Sequence, residues 1–179
     1  MLIEDLSIDL GDEVARKRFL GGEFLMWLWY RVEKEENLFE IDGNWIELNF
    51  DDQLVLEVQL AESEQTRLKG GAPAHSPEAY KALQHGKRIS KARIRLSHNE
   101  REWLFMITAD SFAMSGIKIP AVLRDEDDDR LSERLYLIDE LDRMWNGIYR
   151  AFLELRLSER WESEAHAIRT WIQNLRERA

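Results

Sequence analysis

The sequence predicts an α+β protein in which an antiparallel sheet is flanked by helices and followed by a long C-terminal helical segment. In the middle of the chain, turn residues separate short runs of alternating apolar and polar residues, a pattern typical of an antiparallel sheet. Towards both ends, apolar residues recur every three or four positions, which predicts helices. A chain of 179 residues, 44% of them hydrophobic, can bury one core. We therefore predict a single domain over 1–179, with an α+β body over 1–124 and a helical segment over 125–179.

The first helix is predicted to begin at Asp12, a suitable N-cap, and to end near Glu35. Its centre is apolar on nearly all sides, which predicts that other elements or a partner chain enclose it. The Gly21-Gly22 step weakens a helix, so we expect close backbone packing or a kink there. We interpret Glu23 as a residue at the helix edge; the alternative is a paired, buried acid.

The next segment is predicted to form an antiparallel meander with one solvated face. Its strands cover 38–41, 45–50 and 54–60, with turns at 42–44 and 51–52. The polar stretch over 62–75, which contains Lys69-Gly70-Gly71, is predicted to be a long, mobile loop. Ser76-Pro77 then supplies the N-cap and first-turn proline of a short helix, which ends at 86.

A basic strand over 87–96 is predicted to form a hairpin with a strand over 101–109, and a third strand is predicted over 112–119. A two-residue loop at 98–99 would place Ile94 opposite Trp103 and Arg95 opposite Glu102. The third strand ends at Pro120.

The last part of the chain is predicted to be helical. The acidic run over 125–129 suits a helix N-terminus. An apolar stripe with three- and four-residue steps then predicts a long amphipathic helix; it comprises Leu131, Leu135, Ile138, Leu141, Trp145, Ile148, Phe152 and Leu155. The stripe changes phase near Ser158, which predicts a kink or a separate last helix.

Charge is unevenly distributed along the chain. The sequence has 25 Lys+Arg and 35 Asp+Glu, a net charge of −10. Between Arg67 and Lys118, however, ten basic and four acidic residues give +6, which leaves −16 for the remainder. An acidic protein with one basic region either binds a polyanion there or pairs the region with its own acids.

The basic strand has a pattern of its own. Its cations share one parity: Lys87, Lys91, Arg93 and Arg95. Three residues of the other parity are apolar: Ala92, Ile94 and Leu96. Same-face neighbours in a strand lie roughly 6.6–6.8 Å apart, close to the spacing of successive phosphates along a nucleic acid. The strand therefore predicts a row of phosphate-binding cations, and the alternative is a solvated sheet face.

The sequence contains no recognisable enzymatic site. A restriction-type nuclease needs an acid-x-Lys step to hold Mg²⁺ and activate water, but the corresponding strand reads Glu57-Val58-Gln59. The four histidines have no metal-ligand spacing, and neither a nucleophile motif nor a phosphate-binding glycine motif is present. We expect no catalytic residue, no metal and no cofactor. The acidic run over 125–129 is interpreted as a solvated or interaction surface.

Composition also bears on location. The absence of cysteine excludes disulfides and thiolate metal sites and fits a reducing compartment. The acidic N-terminus lacks the basic start of a signal peptide, and the apolar run over 24–30 is far short of the ~20 residues that cross a bilayer. We therefore expect a soluble, cytoplasmic protein without a membrane partner.

Several short blocks occur in the order found in a known family. They are Ser76-Pro77-Glu78-Ala79, Gly86-Lys87, Trp103-Leu104-Phe105 and Ile117-Lys118-Ile119-Pro120, followed by an acidic break and a long helix. This order resembles the C-terminal half of the RdgC recombination-associated proteins. The block over 19–31 also resembles one found in a branch of that family, so the resemblance extends over residues 19–155.

The resemblance implies a non-enzymatic DNA-binding protein. Members of the family form a ring-shaped homodimer around duplex DNA, bind it through a basic inner surface without sequence preference, and restrain the strand-exchange recombinase. The resemblance implies a DNA-binding role for Lys87 in the Gly-Lys step and for Lys69 before the short helix. The chain is much shorter than a typical member, and the family's N-terminal region has no recognised counterpart, so a closed ring is not implied.

Taken together, these features predict sequence-independent binding of DNA, duplex or single-stranded, through its phosphates, in recombination or replication and at the nucleoid. The predicted DNA-binding residues are Lys69, Lys87, Arg88, Lys91, Arg93 and Arg95. We further expect a recombination protein as a partner and a homodimer, because the apolar helices offer more surface than one domain covers. The alternative function is a protein interaction module that uses the acidic surface and apolar helices, with the basic strand neutralised by its own acids.

Overall fold

The computed structural model describes residues 20–58 and 65–175. Within these residues the first helix, α1, covers 20–33. The strands are β1 (Leu38–Ile41), β2 (Asn44–Glu57), β3 (Thr66–Lys69), β4 (Arg88–His98), β5 (Arg101–Thr108) and β6 (Met114–Lys118). The remaining helices are α2 (Pro77–Gln84), α3 (Asp127–Arg156) and α4 (Trp161–Asn174), with a 3₁₀ turn at Pro73–His75. The predicted N-cap Asp12 and the end of the strand predicted over 54–60 lie outside the described residues.

All strands of the described chain join one antiparallel sheet, which confirms the α+β class. The strand order is β1-β2-β4-β5-β6, and β3 pairs with β2. Because β2 has 14 residues, its first part can pair with β1 and its second part with β3, while β4 pairs along its other edge. This arrangement brings β3 and β4 close together on either side of the second half of β2.

The inner face of the sheet packs against helices and forms the core. Its central residues are almost fully buried: Ile46, Leu48, Leu54, Leu56, Ile89, Ala92, Ile94, Leu96, Trp103, Phe105 and Ile107. The enclosure predicted for α1 is confirmed, since each residue over 24–30 is buried. The Phe24 ring lies 5.2 Å from that of Trp145 and 5.3 Å from that of Phe152, so α1 and α3 share one core.

Gly21 packs closely against the turn that follows β5. A Cβ atom at this position would lie 1.6 Å from the backbone oxygen of Ala109, so only glycine fits there. The close packing predicted at the Gly21-Gly22 step is therefore present. Glu23 differs from the preferred interpretation, because its Oε2 accepts a hydrogen bond from Arg156 Nε at 2.8 Å and its side chain is mostly buried.

Two sheet predictions were wrong. The turn predicted at 51–52 does not form; β2 continues through it, with an irregular register between Phe50 and Leu54. The hairpin loop lies at 99–100, so Ile94 pairs with Phe105 and Arg95 with Leu104. This register differs from the predicted one by two residues, and a shift of two leaves every side chain on its predicted face. Positive φ angles at Asn99 and Glu100 account for the turn position.

The short helix and the final break agree with the sequence. Ser76 Oγ accepts the Ala79 N–H at 3.2 Å, Pro77 opens α2, and Gly86 follows its end with a φ of 83°. α3 ends at Arg156 and α4 begins as a separate helix. No helix among the described residues is long and apolar enough to cross a membrane.

The predicted stripe of α3 faces the core only in its second half. Leu137 and Leu141 are buried, whereas Leu131, Leu135 and Ile138 are 58%, 59% and 45% exposed. At about 100° per residue, these three lie on a face roughly a quarter-turn away from the buried one. We call Leu131, Leu135 and Ile138 the apolar ridge. None of its three residues belongs to the buried core of the described chain.

Candidate nucleic-acid interface

The outer face of the sheet, opposite the core, presents the cations of the basic strand. Along the described residues of β2, β4 and β5, buried side chains of the inner face alternate with side chains of the outer face. None of those on the outer face is fully buried. Ala92, Ile94 and Leu96 are 0% exposed, so the predicted alternation holds over 91–96. Lys91, Arg93 and Arg95 consequently share the outer face.

A β-bulge in β4 changes which further cation joins this row. The register against β2 shifts at Ser90, where β4 contains one extra residue. The alternation therefore reverses before Ser90, and Arg88 rather than Lys87 continues the outer row. Lys87 lies just before β4, and its Nζ donates a hydrogen bond to Thr66 Oγ1 at 3.0 Å. The predicted row of four cations was therefore wrong at its first position, which Arg88 occupies instead of Lys87.

Two arginines of the outer row are paired with carboxylates of the chain itself. Arg93 Nη1 lies 3.3 Å from Asp52 Oδ1, and Arg93 Nε lies 3.5 Å from Asp51 Oδ2. Arg95 Nη2 lies 2.5 Å from Asp51 Oδ1, and its Nε lies 3.7 Å from Glu102 Oε2. The charges of both guanidiniums are therefore balanced locally, which is the pairing of the basic region with the chain's own acids that the charge distribution left open.

Four other cations cluster at the opposite end of the outer face. We call them the basic patch: Arg67, Lys69, Arg88 and Lys91. Arg67 and Lys91 flank Val55 on neighbouring strands, which places their Cα atoms roughly 10 Å apart, and Lys69 follows Arg67 on the same face of β3. Within the described part of the chain, no carboxylate lies within 4.0 Å of any of the four. The patch therefore makes no direct ion pair with these residues; Glu57, which lies opposite Arg88, accepts a hydrogen bond from Gln65 instead.

The members of the basic patch differ in exposure. Arg67, Lys69 and Lys91 are exposed, whereas Arg88 is half-buried. Burial lowers the pKa of Arg88 below its usual value, because the charged guanidinium is partly removed from water. Its Nη1 donates to the backbone oxygen of Lys87 at 2.8 Å. Arg88 is consequently less accessible to a ligand than the other three.

Sequence reasoning missed Arg67 because it assigned 62–75 to a loop. The structure instead forms β3 at Thr66–Lys69 and the 3₁₀ turn at Pro73–His75 within that range. The available signal was weak: in the stretch Thr66-Arg67-Leu68-Lys69, only Leu68 is apolar. Four residues are too few to establish a period, so the strand depends on its pairing with β2.

No candidate catalytic or metal centre was found in the described residues. No group of three or more His, Asp and Glu side chains among them could hold a metal ion. One buried acid has a histidine partner: Glu33, with a side chain 5% exposed, lies 2.7 Å from His75 Nδ1 and accepts the Tyr80 hydroxyl at 3.2 Å. These contacts tie α1 to the 3₁₀ turn and α2. They include no serine, threonine or cysteine that could act as a nucleophile.

A polar pocket of about 390 Å³ lies where the β1–β2 turn and the β4–β5 turn meet α3. Arg101 and Glu140 line it and form an ion pair at 3.4 Å. Arg143, also in the lining, pairs with Asp139 at 3.1 Å. Since both guanidiniums already form ion pairs, the pocket differs from the basic patch, whose cations form none with the described residues.

Comparison with known proteins adds no assignment. The chain matches no protein-family model, and no curated protein matches it. The resemblance to the RdgC family therefore stays a prediction that rests on the short sequence blocks.

Proposed function

We propose that this protein is a non-enzymatic, sequence-independent DNA-binding protein whose contact surface is the basic patch. The observation that supports this proposal is the clustering of Arg67, Lys69, Arg88 and Lys91 without a carboxylate partner in the described chain. The protein as a whole is strongly acidic, with a net charge of −10. A local concentration of unpaired cations on such a protein favours a polyanionic ligand.

The chemistry of the patch favours phosphates over bases. Lysine and arginine side chains neutralise phosphates, which are alike at every position of a duplex. Val55 and Thr108, which lie opposite Lys91 on the neighbouring strands, are not aromatic and cannot stack on bases. A role in recombination or replication, and a place at the nucleoid, are proposed from the resemblance alone.

The proposal predicts the strength of salt dependence. Each neutralised phosphate of a duplex contributes about −0.9 to the slope of log K against log salt. The three exposed cations of the patch give about −2.7, and a full contribution from Arg88 would give about −3.6. We expect the purified protein to bind two unrelated duplexes with the same affinity and a slope in this range.

A pair of charge-matched variants tests the location. Arg67→Gln with Lys91→Gln should make the slope less negative by about 1.8 and weaken binding to both duplexes equally. Lys81→Gln with Arg150→Gln removes the same charge from exposed helix positions and should leave the slope unchanged. Equal effects from the two double variants, or no binding by the parent protein, would contradict the proposal.

The apolar ridge favours a second candidate function: it would bind another protein, and the simplest partner is a second copy of this chain. Three large apolar side chains on one exposed helix face are typical of an interface. Replacing Leu131 and Leu135 with serine should then convert a dimer into a monomer of 21.2 kDa, as measured by light scattering. A parent protein that already has this mass over a wide concentration range would exclude the dimer.

A further inference from the structure

The irregular segment of β2 carries two acids into the row of cations on the outer face. Phe50 pairs with Ile94, and Leu54 pairs with Ala92. Three residues of β2 therefore lie opposite Arg93 alone, which is two more than a regular ladder allows. Asp51 and Asp52 belong to this extra length. Without it, the strand would present fewer carboxylates to the arginines of β4.

The carboxylates occupy positions where phosphates would otherwise bind. Asp51 contacts both Arg93 and Arg95, and Asp52 adds a second contact to Arg93. A carboxylate and a phosphate use the same guanidinium N–H donors, so the two compete for them. The ion pairs thus divide the outer face into a masked part, Arg93 and Arg95, and an open part, the basic patch.

The pairing is also incomplete, which leaves it open to exchange. Arg95 Nε is buried and has no hydrogen-bond partner among the described residues, because Glu102 Oε2 is 3.7 Å away. The Asp52 side chain is 46% exposed to solvent. An ion pair with a partner this exposed, such as Arg93–Asp52, adds little to folding stability. Its effect on polyanion binding is larger, because each masked cation removes one counterion-releasing contact.

We infer that Asp51 and Asp52 form an autoinhibitory contact that masks Arg93 and Arg95 from DNA, an inference that rests on the proposed function. In the resting protein, only the basic patch binds the duplex. If the two carboxylates are neutralised, the outer row gains two phosphate contacts. The masking therefore sets both the affinity and the salt dependence of the same surface.

Neutralisation of the two acids tests the inference directly. Asp51→Asn with Asp52→Asn keeps the side-chain shape and removes both negative charges. The slope of log K against log salt for a mixed-sequence duplex should become more negative by about 1.8. When the salt concentration falls from 0.3 M to 0.1 M, the ratio of the variant's affinity to that of the parent should therefore rise roughly sevenfold.

Two controls separate masking from a general change of charge. Glu40→Gln with Glu100→Gln removes the same charge from exposed positions and should leave the slope unchanged. Adding Arg93→Gln and Arg95→Gln to the Asn variant should restore the parent slope. Circular dichroism of each variant establishes that it is folded.

The outcomes distinguish the inference from the proposed function. If the Asn variant has the parent slope while the parent binds DNA, the masking is overturned and the proposed function stands. If no variant binds DNA, both are overturned. If only the Asn variant binds, and only with Arg93 and Arg95 present, the masking is supported and the basic patch alone is shown to be insufficient.

Discussion

The two groups of cations on the outer face differ in how the fold treats them. Arg93 and Arg95 meet the carboxylates of Asp51 and Asp52, and the Arg93 side chain is only 18% exposed. The basic patch, by contrast, has no carboxylate partner in the described residues. All of these cations belong to the one basic region of the sequence between Arg67 and Lys118. A local excess of positive charge in a sequence therefore indicates a candidate ligand site only after ion pairing within the fold is taken into account.

The largest effect on stability should come from the buried inner face of β4, which supports both groups of cations. Ile94 is 0% exposed and lies between Arg93 and Arg95 on the opposite face of β4. Ile94→Ala should lower the free energy of unfolding by about 2–5 kcal/mol, because it leaves a cavity in a packed core. Urea denaturation measures this loss. Lys91→Gln, on the outer face, should change stability by no more than about 0.5 kcal/mol, and a larger change would show that the outer face supports the fold.

A smaller effect on stability should distinguish the two carboxylates, Asp51 and Glu102, that contact Arg95. Asp51→Asn removes a mostly buried charge that contacts two guanidiniums, so it should cost about 1 kcal/mol in thermal unfolding at low salt. Glu102→Gln changes a contact of 3.7 Å between side chains that are nearly half exposed, and should have almost no effect. Equal losses in the two variants would mean that Asp51 does not hold the arginines as the geometry indicates.

The smallest effect should separate the members of the basic patch. Arg88 is half-buried and already donates to a backbone oxygen, whereas Lys91 is exposed. Lys91→Gln should make the DNA-binding slope less negative by about 0.9, and Arg88→Gln should change it by less. Salt titrations of the two single variants provide the measurement. A larger change for Arg88 would place the DNA closer to the start of β4 than proposed.

Much of the fold could be predicted from local sequence patterns. The apolar α1, the Ser76-Pro77 start of α2 and the break after Arg156 depend on nearby residues, and each is present. The apolar ridge was misassigned because a helical stripe shows which residues can be buried, but the position of the sheet decides where burial stops. Leu137 rather than Ile138 therefore faces the core.

The candidate site was harder to predict because it depends on the sheet register. The bulge at Ser90 exchanges Lys87 for Arg88 on the outer face, and β3 brings in Arg67 from a stretch without a clear period. The pairing of Arg95 with Asp51 joins residues 44 positions apart. Strand patterns within one segment carry no information on such contacts.

The most direct test compares the two groups of cations in one DNA-binding experiment. Two double variants, Arg67→Gln with Lys91→Gln and Arg93→Gln with Arg95→Gln, remove equal charge from the same face of the sheet. We expect the first to make the salt slope less negative by about 1.8 and the second to leave it close to the parent value. The opposite ranking, or equal changes in both, would contradict the account, because paired and unpaired cations would then contribute alike.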